Sequence, residues 1–299
     1  MDDCLKSEAH ELFRSQLQDW ELARTNYSAL CNVKVREFAF DRFNVKVQFN
    51  PARMVSTGAK INRDAIASRP CFLCKANRPS AQERVLWRSY ELLVNPYPIF
   101  PEHYTIAHVT HRDQALLPYI GDMVDLARAL PDMLVFYNGP HCGASAPDHM
   151  HFQAGTLDFL PITGDYARMR YDRKRLAKMG AYEIYSLKNY LRSVVCIESE
   201  KGDAVCAAFE WLYSILEPQD NEPMMNVCCC YVEGKWLLFI FPRRAFRPWQ
   251  YEAEGEKQLL VSPATVEMGG IMVVPVEEHF NRINREDIIS IYSQVSAII

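Results

Sequence analysis

Short apolar runs of strand length dominate the chain, and they occur in two sets that each include one amphipathic helix. The first set lies at 90–94, 104–109, 133–137 and 149–153, and the second at 226–233, 235–241 and 270–276. Runs of this length, bounded by Gly, Pro, Asn and Asp, are typical of strands. We therefore predict an α+β fold in which residues 156–299 are a distant, degenerate copy of residues 1–155.

The helical segments follow from apolar spacing. The first 30 residues carry apolar side chains at helical spacing, and residues 33–49 alternate like a hairpin of strands. The helix of the first set begins near Thr110 and ends before Pro131, although Pro118 favours a regular helix only from that position onward. The second set contains a helix around Phe209, Leu212 and Leu216, and another helix at 286–295 closes the chain.

The charge and the apolar runs exclude several classes of protein. The net charge of −4 and the pI near 6.1 lack the basic surplus that nucleic-acid binding requires. The longest obvious apolar run, 236–241, is far shorter than the roughly 20 residues of a membrane span. The polar N-terminus does not resemble an export signal, so we expect a cytoplasmic protein that binds neither nucleic acid nor membranes.

The most informative stretch is 138–153, which reads N-G-P-H-C-G-A-S-A-P-D-H-M-H-F-Q. Alternate side chains of a strand share a face, so His149, His151 and Gln153 are predicted to project to one side. A glycine-containing loop that can approach phosphate oxygens closely precedes them. Two histidines on one strand face are by themselves more often structural than catalytic.

The full pattern N-G-x-x-x-G-A-S-x-P-x-H-x-H-x-Q closely resembles the active-site signature of the transferase branch of the histidine triad (HIT) superfamily. That branch contains galactose-1-phosphate uridylyltransferase, diadenosine tetraphosphate phosphorylase and GDP-sugar phosphorylases. The resemblance implies a HIT-like antiparallel sheet with helices. It places the catalytic centre and a zinc knuckle, which is the loop 69–80, in residues 1–155. Residues 156–299 lack H-x-H-x-Q, so one catalytic centre per chain is expected.

The resemblance assigns a role to each residue of the motif. It implies that His151 attacks the α-phosphorus of a nucleotide and forms a covalent nucleotidyl-histidine. Gln153 would then hydrogen-bond the phosphoryl oxygens, and Ser145 and Asn138 would contact phosphate or shape its loop. Asp148 departs from the family pattern: its side chain would either orient a neighbouring group or be solvated, and we favour the solvated side chain.

The chemistry of Gln153 favours transfer over hydrolysis. Its amide neither gains nor loses a proton, so it cannot deprotonate water to clear a covalent intermediate. We therefore expect a nucleotidyltransferase or phosphorylase that cleaves a nucleotide sugar or a dinucleoside polyphosphate and passes the nucleoside monophosphate to phosphate or a sugar phosphate. The alternatives are a nucleotide hydrolase that uses His151 and a non-catalytic zinc-containing nucleotide-binding protein. The oligomeric state, including a homodimer, stays open.

The pair Cys71 and Cys74 forms a C-x-x-C motif, for which a redox dithiol, structural zinc and coincidence compete. No βαβ setting surrounds it, which argues against the redox function. The resemblance implies a structural Zn²⁺ held by Cys71, Cys74, His111 and His149, with His108 as the rival for the third position.

Several other residues are candidates for phosphate binding. Asn95, in the V-N-P-Y-P turn, matches a family asparagine that contacts phosphate, although turn formation before proline explains it almost as well. Arg53 and Lys60 are placed to cradle nucleotide phosphates. Arg243 and Arg244 belong to a second basic cluster, which would bind an acceptor phosphate or form a solvated turn.

Overall fold

The strands and helices are taken from a computed structural model that describes residues 2–54, 58, 66, 68–220 and 222–298. In chain order the strands are β1 (Lys34–Ala39), β2 (Asn44–Phe49), β3 (Arg84–Trp87), β4 (Tyr90–Val94), β5 (His103–His108), β6 (Met133–Asn138), β7 (His151–Thr156), β8 (Arg173–Met179), β9 (Tyr182–Leu187), β10 (Val195–Ser199), β11 (Pro218–Gln219), β12 (Glu222–Pro223), β13 (Met225–Val232), β14 (Lys235–Pro242) and β15 (Ile271–Val274).

The α-helices are α1 (Asp2–Asp19), α2 (Glu21–Leu30), α3 (Ile120–Ala129), α4 (Pro161–Arg168), α5 (Gly202–Ile215), α6 (Thr265–Met268), α7 (Glu277–Arg282) and α8 (Arg285–Val295). Short 3₁₀ turns cover Pro51–Arg53, Lys75–Asn77, Leu117–Tyr119, Trp249–Tyr251 and Gly255–Lys257. Within the described residues, no helix combines the length and the apolar character that a membrane span requires.

Ten strands form one sheet, in the order β3-β4-β5-β7-β6-β13-β14-β10-β9-β8, and every neighbouring pair is antiparallel. This large antiparallel sheet with its helices confirms the predicted α+β class. β15 lies outside this sheet, because it pairs in parallel with β2 in a three-stranded sheet, β1-β2-β15.

The two halves of the large sheet have the same strand order. The first half runs β3-β4-β5-β7-β6 with α3 before β6, and the second runs β8-β9-β10-β14-β13 with α5 before β13. The halves meet where β6 pairs with β13, with Asn138 opposite Asn226. This repeated strand order is what a duplicated fold would show. The boundary between residues 155 and 156 stays a prediction.

The sheet separates two apolar clusters. Alternate residues of β6 divide between them: Val135 packs with residues of α1, α3 and α5, whereas Phe136 packs with residues of β2, β15 and α8. Phe152 of β7 belongs to the first cluster, so its neighbours in the strand, His151 and Gln153, face the other side. That side carries the candidate site.

Local sequence explains where several elements begin and end. The turn between β13 and β14 consists of Glu233 and Gly234, whose φ angles are 51° and 80°. Two successive positive φ angles are typical of the type I′ turn that matches the twist of a hairpin. The helix α3 is shorter than predicted, because Pro118 lies in a 3₁₀ turn and the regular helix starts at Ile120.

One further expectation about the fold is wrong. The strand predicted at 149–153 starts only at His151, because a turn precedes it in which the N–H of His149 donates to the carbonyl of Ala146 (3.1 Å). His149 therefore does not share the strand face of His151 and Gln153. Its ring lies instead against Cys71 and Cys74.

Candidate active site

His151 lies at the start of β7 and lines a cavity of about 760 Å³. Its Nδ1 is 2.8 Å from the carbonyl oxygen of His149. A carbonyl can only accept a hydrogen bond, so Nδ1 carries the proton and Nε2 keeps its lone pair. Burial lowers the pKa of His151 to about 4, although its bond to the His149 carbonyl opposes the shift, so the ring is a neutral base.

Gln153, two residues along β7, also lines the cavity. Its Oε1 lies 2.9 Å from Nε2 of His103, and the Nδ1 of that histidine accepts from the N–H of Ile99 (3.3 Å). A main-chain N–H only donates, so His103 must carry its proton on Nε2 and donate it to Gln153. Because Oε1 of Gln153 accepts this bond, the NH₂ group of the same amide is available to donate to a molecule in the cavity.

Asn138, at the end of β6, is the third cavity residue of the motif. Its Oδ1 accepts from the N–H of Thr265 (2.9 Å), from the hydroxyl of Thr265 (2.7 Å) and from Nδ2 of Asn226 (2.9 Å). Both donor residues belong to the second half of the chain. The motif alone does not reveal them, since they lie far away in sequence.

Gln114 is a buried residue that the sequence analysis missed. Its Oε1 accepts from the N–H of His151 (2.8 Å), and its Nε2 donates to the carbonyls of His151 (3.0 Å) and Asn138 (3.1 Å). The side-chain amide of Gln114 thus bridges β6 and β7 just beyond the last residue pair of their register, Phe136 and Gln153. It fixes the main chain on which the ring of His151 is carried.

The loop between β6 and β7 carries Gly143 and Ser145, and both line the cavity. Gly143 has φ +95°, and a Cβ there would lie 2.5 Å from Cβ of Ala264. Only glycine fits this position. The expectation that Asp148 is solvated is wrong: its carboxylate is largely buried and pairs with Nη2 of Arg69 (3.2 Å), which also donates to the carbonyl of Ser145 (3.0 Å).

Asn95 forms its turn and also lines the cavity, so its contact with phosphate stays a prediction. Its Oδ1 accepts from the N–H of Tyr97 (2.9 Å), and its Nδ2 donates to Oγ1 of Thr105 (3.1 Å). Arg53 lines the cavity as well and donates to the carbonyl of Tyr97 (2.9 Å). Lys60 lies outside the described residues.

The second basic cluster lies apart from the cavity lining. Arg243 is buried and donates to main-chain carbonyls, among them that of Pro263 (2.8 Å), and to Oδ1 of Asn226. Arg244 is exposed and donates to the carbonyls of Ser293 and Gln294. The contacts of both arginines in this structure are therefore made within the protein, and neither residue lines the cavity.

The cavity extends to both sides of His151. On one side, apolar residues of the α1–α2 junction, of β4 and of the knuckle line it together with two amides: Trp20, Leu22, Leu73, Asn77, Pro79, Gln82 and Leu93. On the other side lie Val266, Glu267 and Val273, with Arg53 close by. Burial raises the pKa of Glu267 to about 7, against the effects of its main-chain donors and of Arg53.

A cluster of four potential metal ligands adjoins the start of β7. The ligand atoms of Cys71, Cys74, His111 and His149 all lie within 4.8 Å of one another. Nε2 of His149 is 2.7 Å from the carbonyl oxygen of His108, so Nε2 carries the proton and donates it. Nδ1 therefore keeps its lone pair, and it lies 3.3 Å from Sγ of Cys71. A carbonyl that orients a histidine in this way is usual at metal sites.

This cluster can hold a metal ion, and it has the composition of a Cys₂His₂ site. Nδ1 of His111 is 3.3 Å from Sγ of Cys74, which makes His111 the fourth member. The ring of the rival, His108, lies outside the cluster, because its Nδ1 is engaged with the main chain of Thr110.

Two family models and the fold of one solved enzyme match this chain, and together they support the resemblance that the motif at 138–153 carries. Residues 12–156 match the family model described as Domain of unknown function (DUF4922), and residues 168–298 match the one described as GDPGP1-like, C-terminal domain. A search of curated protein sequences finds no significant match to this chain.

Solved structures of one enzyme share the fold of almost the whole chain. The crystal structure of yeast Ap4A phosphorylase Apa2 aligns with a TM-score of 0.58 at 17% identity, covering 98% of this chain and 94% of that chain. Its complexes with AMP and with Ap4A both align with a TM-score of 0.55, at 17% and 15% identity, over 95% of this chain and 96% and 97% of those chains.

Proposed function

We propose that this chain is a phosphorylase or nucleotidyltransferase that cleaves a nucleotide sugar or a dinucleoside polyphosphate through a nucleotidyl-His151 intermediate. One observation carries the proposal. The proton of His151 is fixed on Nδ1 by a main-chain carbonyl, and its Nε2 has no hydrogen-bond partner among the described residues, while the side-chain amides of Asn138 and Gln153 line the same cavity. A neutral, oriented imidazole is an activated nucleophile.

The proposed reaction has two displacement steps. The lone pair of Nε2 forms a bond to the α-phosphorus, and the bond from phosphorus to the bridging oxygen breaks, so that its electron pair leaves with the departing phosphate group. An oxygen of inorganic phosphate or a sugar phosphate then attacks the same phosphorus, and the bond electrons return to Nε2. The proton stays on Nδ1 throughout, where the carbonyl of His149 stabilises the positive charge of the phosphorylated ring.

The surroundings of His151 suit a phosphoanhydride substrate. Gln153 and Asn138 offer N–H donors to phosphoryl oxygens, and neither can protonate a poor leaving group. The apolar side of the cavity, around Trp20 and Leu93, is suited to a nucleobase, and Arg53 on the other side is suited to phosphate. The complexes of the yeast enzyme with AMP and Ap4A make dinucleoside polyphosphates a first choice of substrate.

We also propose that the Cys71, Cys74, His111 and His149 cluster holds a structural Zn²⁺. Zinc is the usual metal of such a ligand set. Four protein ligands leave no open coordination position for substrate, so the ion would tie the knuckle to the segment before β7 and would not take part in the reaction.

Intact-mass spectrometry after mixing with Ap4A and with GDP-, UDP- and ADP-sugars, without phosphate, tests the function. We expect the mass of one nucleoside monophosphate to be added, and to be removed when phosphate or a sugar phosphate is supplied. His151→Asn should abolish the adduct and lower turnover by more than about 10³-fold. His141→Asn, an exposed histidine of the same loop, is the matched control and should behave like wild type.

Other outcomes would contradict the proposal. An adduct that water removes without any acceptor indicates a hydrolase. Tight nucleotide binding without an adduct, unchanged in His151→Asn, indicates a non-catalytic nucleotide-binding protein.

A further inference from the structure

A buried polar network from the second half of the chain ends on Asn138. Asn226 lies on β13 directly opposite Asn138, and Thr265 is the first residue of α6. Both are fully buried, and Arg243, which is 5% exposed, supports Asn226 from behind. The second half lacks an H-x-H-x-Q motif, yet it places these groups at the edge of the cavity that His151 lines.

The network determines which end of the Asn138 amide faces the cavity. The N–H of Thr265 can only donate, so the atom 2.9 Å from it must be the oxygen of the Asn138 side chain. Nδ2 of Asn226 donates to the same oxygen, and the hydroxyl of Thr265 shares its one proton between this oxygen (2.7 Å) and the carbonyl of Tyr137 (2.8 Å). The NH₂ group of Asn138 therefore lies at the other end, and it has no hydrogen-bond partner within the described part of the chain.

The orientation of Asn226 is fixed by the same reasoning. The guanidinium of Arg243 only donates, and it contacts Oδ1 of Asn226. Nδ2 of Asn226 must then face the other way, where it donates both to Asn138 and to the carbonyl of Cys142 (2.7 Å) in the glycine-containing loop. The orientation of each amide is thus fixed by a group that can only donate: the main-chain N–H of Thr265 for Asn138, and the guanidinium of Arg243 for Asn226.

We infer that Asn226 and Thr265 are positioning residues, through which the second half of the chain holds the NH₂ of Asn138 toward the phosphoryl oxygens. The inference rests on the proposed function. It gives the non-catalytic half a definite task in nucleotidyl transfer. Donors fixed in this way need no reorganisation when charge develops on the phosphoryl oxygens, which is how such groups accelerate reactions.

The variant Asn226→Asp reverses the polarity of this network and changes shape little. A carboxylate still accepts from Arg243, but it repels Oδ1 of Asn138, which the N–H of Thr265 keeps from flipping, so the amide is displaced and its NH₂ no longer aims at the phosphate. We expect the single-turnover rate of adduct formation at saturating nucleotide to fall by about 10²-fold, as on loss of one oxyanion donor. Asn284→Asp is the matched control, because aspartate also caps a helix, and should keep the wild-type rate.

A double-mutant cycle separates positioning from a general structural effect. Asn138→Ala removes the donor, so Asn226→Asp should slow the Asn138→Ala protein by less than about threefold. Equal slowing in both backgrounds, or no slowing of wild type, overturns the inference. A wild-type protein that forms no adduct overturns it together with the proposed function.

Thr265 provides a second test that does not depend on how well Asn226→Asp folds. Thr265→Val removes the hydroxyl whose proton Asn138 shares with the carbonyl of Tyr137, and should lower the rate of adduct formation by about fivefold, whereas Thr265→Ser keeps the hydroxyl and should stay near wild type. The two variants should bind nucleotide equally well. Equal rates for them contradict the inference.

Discussion

At the scale of single residues, main-chain groups decide the chemistry of the site. Carbonyls fix the protons of His151 and His149, and main-chain N–H groups fix His103 and, directly, the amide of Asn138. A carbonyl only accepts and a main-chain N–H only donates, so the histidine tautomers and the amide orientations follow from the distances. The result is a nucleophilic nitrogen beside two N–H donors.

His103 gives this arrangement a dependence on pH. Burial lowers its pKa to about 3 from the ordinary 6.5, and the charge of Arg53 adds to the effect, while its bond to Gln153 opposes it. The unfolded chain therefore binds a proton that the folded one excludes, so stability that is present above pH 6.5 declines as the pH falls toward 3. Wild type should lose roughly 2 kcal/mol more than His103→Gln between pH 7 and pH 5.

Urea unfolding of both proteins at the two pH values measures this difference. The other titrating groups are shared, so they cancel in the comparison. The same loss of unfolding free energy in both proteins would show that His103 is not the buried neutral base described here.

The sequence predicted the residues of the motif but not those that orient them. His151, Gln153, Asn138 and Ser145 all line the cavity, as do Asn95 and Arg53. The sequence did not reveal the orienting roles of His103, Gln114, Asn226 and Thr265, because their partners lie from 4 to 127 residues away and only the fold brings them together. The basic pair Arg243 and Arg244 looked like a phosphate site because spacing alone does not show which carbonyls lie within reach.

At the scale of elements, the metal-ligand cluster ties the segment before β7 to the knuckle. His149 lies in a turn, two residues before His151, and its ring faces Cys71 and Cys74. The alternation of side chains along a strand predicted that His149, His151 and Gln153 share a face. The prediction is wrong for His149 because the strand starts only at His151. The alternation of β7 itself held, since Phe152 packs on the opposite side.

Cys71→Ser should lose the bound metal and much of its stability. Sγ of Cys71 faces Nδ1 of His149, and structural zinc sites supply on the order of 10 kcal/mol in small domains. Purified wild type should contain one zinc ion per chain by elemental analysis, and Cys71→Ser much less, with a lower thermal midpoint. Cys31→Ser, at an exposed thiol, is the control and should keep its metal. Full metal content in Cys71→Ser would contradict the assignment.

At the scale of the whole molecule, the two halves share one sheet and both apolar clusters. The first cluster joins Leu92 of β4 and Phe152 of β7 with Leu238 of β14, and the second joins Phe136 with Phe239. The repetition of elements was visible in the sequence, but the strands between 173 and 199 were not identified. Their polar, basic residues in β8 and the turns around them weaken the apolar signal that marks the other strands.

This shared core predicts that the halves unfold together. Leu238 is fully buried in the second half, and Leu238→Ala should cost about 3 kcal/mol. The main-chain amides of β4 pair only with first-half strands. If the protein unfolds as one cooperative unit, the hydrogen exchange of these amides should nevertheless accelerate on the order of 100-fold, because the variant loses that much global unfolding free energy. If the halves unfold independently, the exchange rate of β4 should not change. Leu176→Ala, at a half-exposed position of β8, is the control and should change the exchange of β4 little.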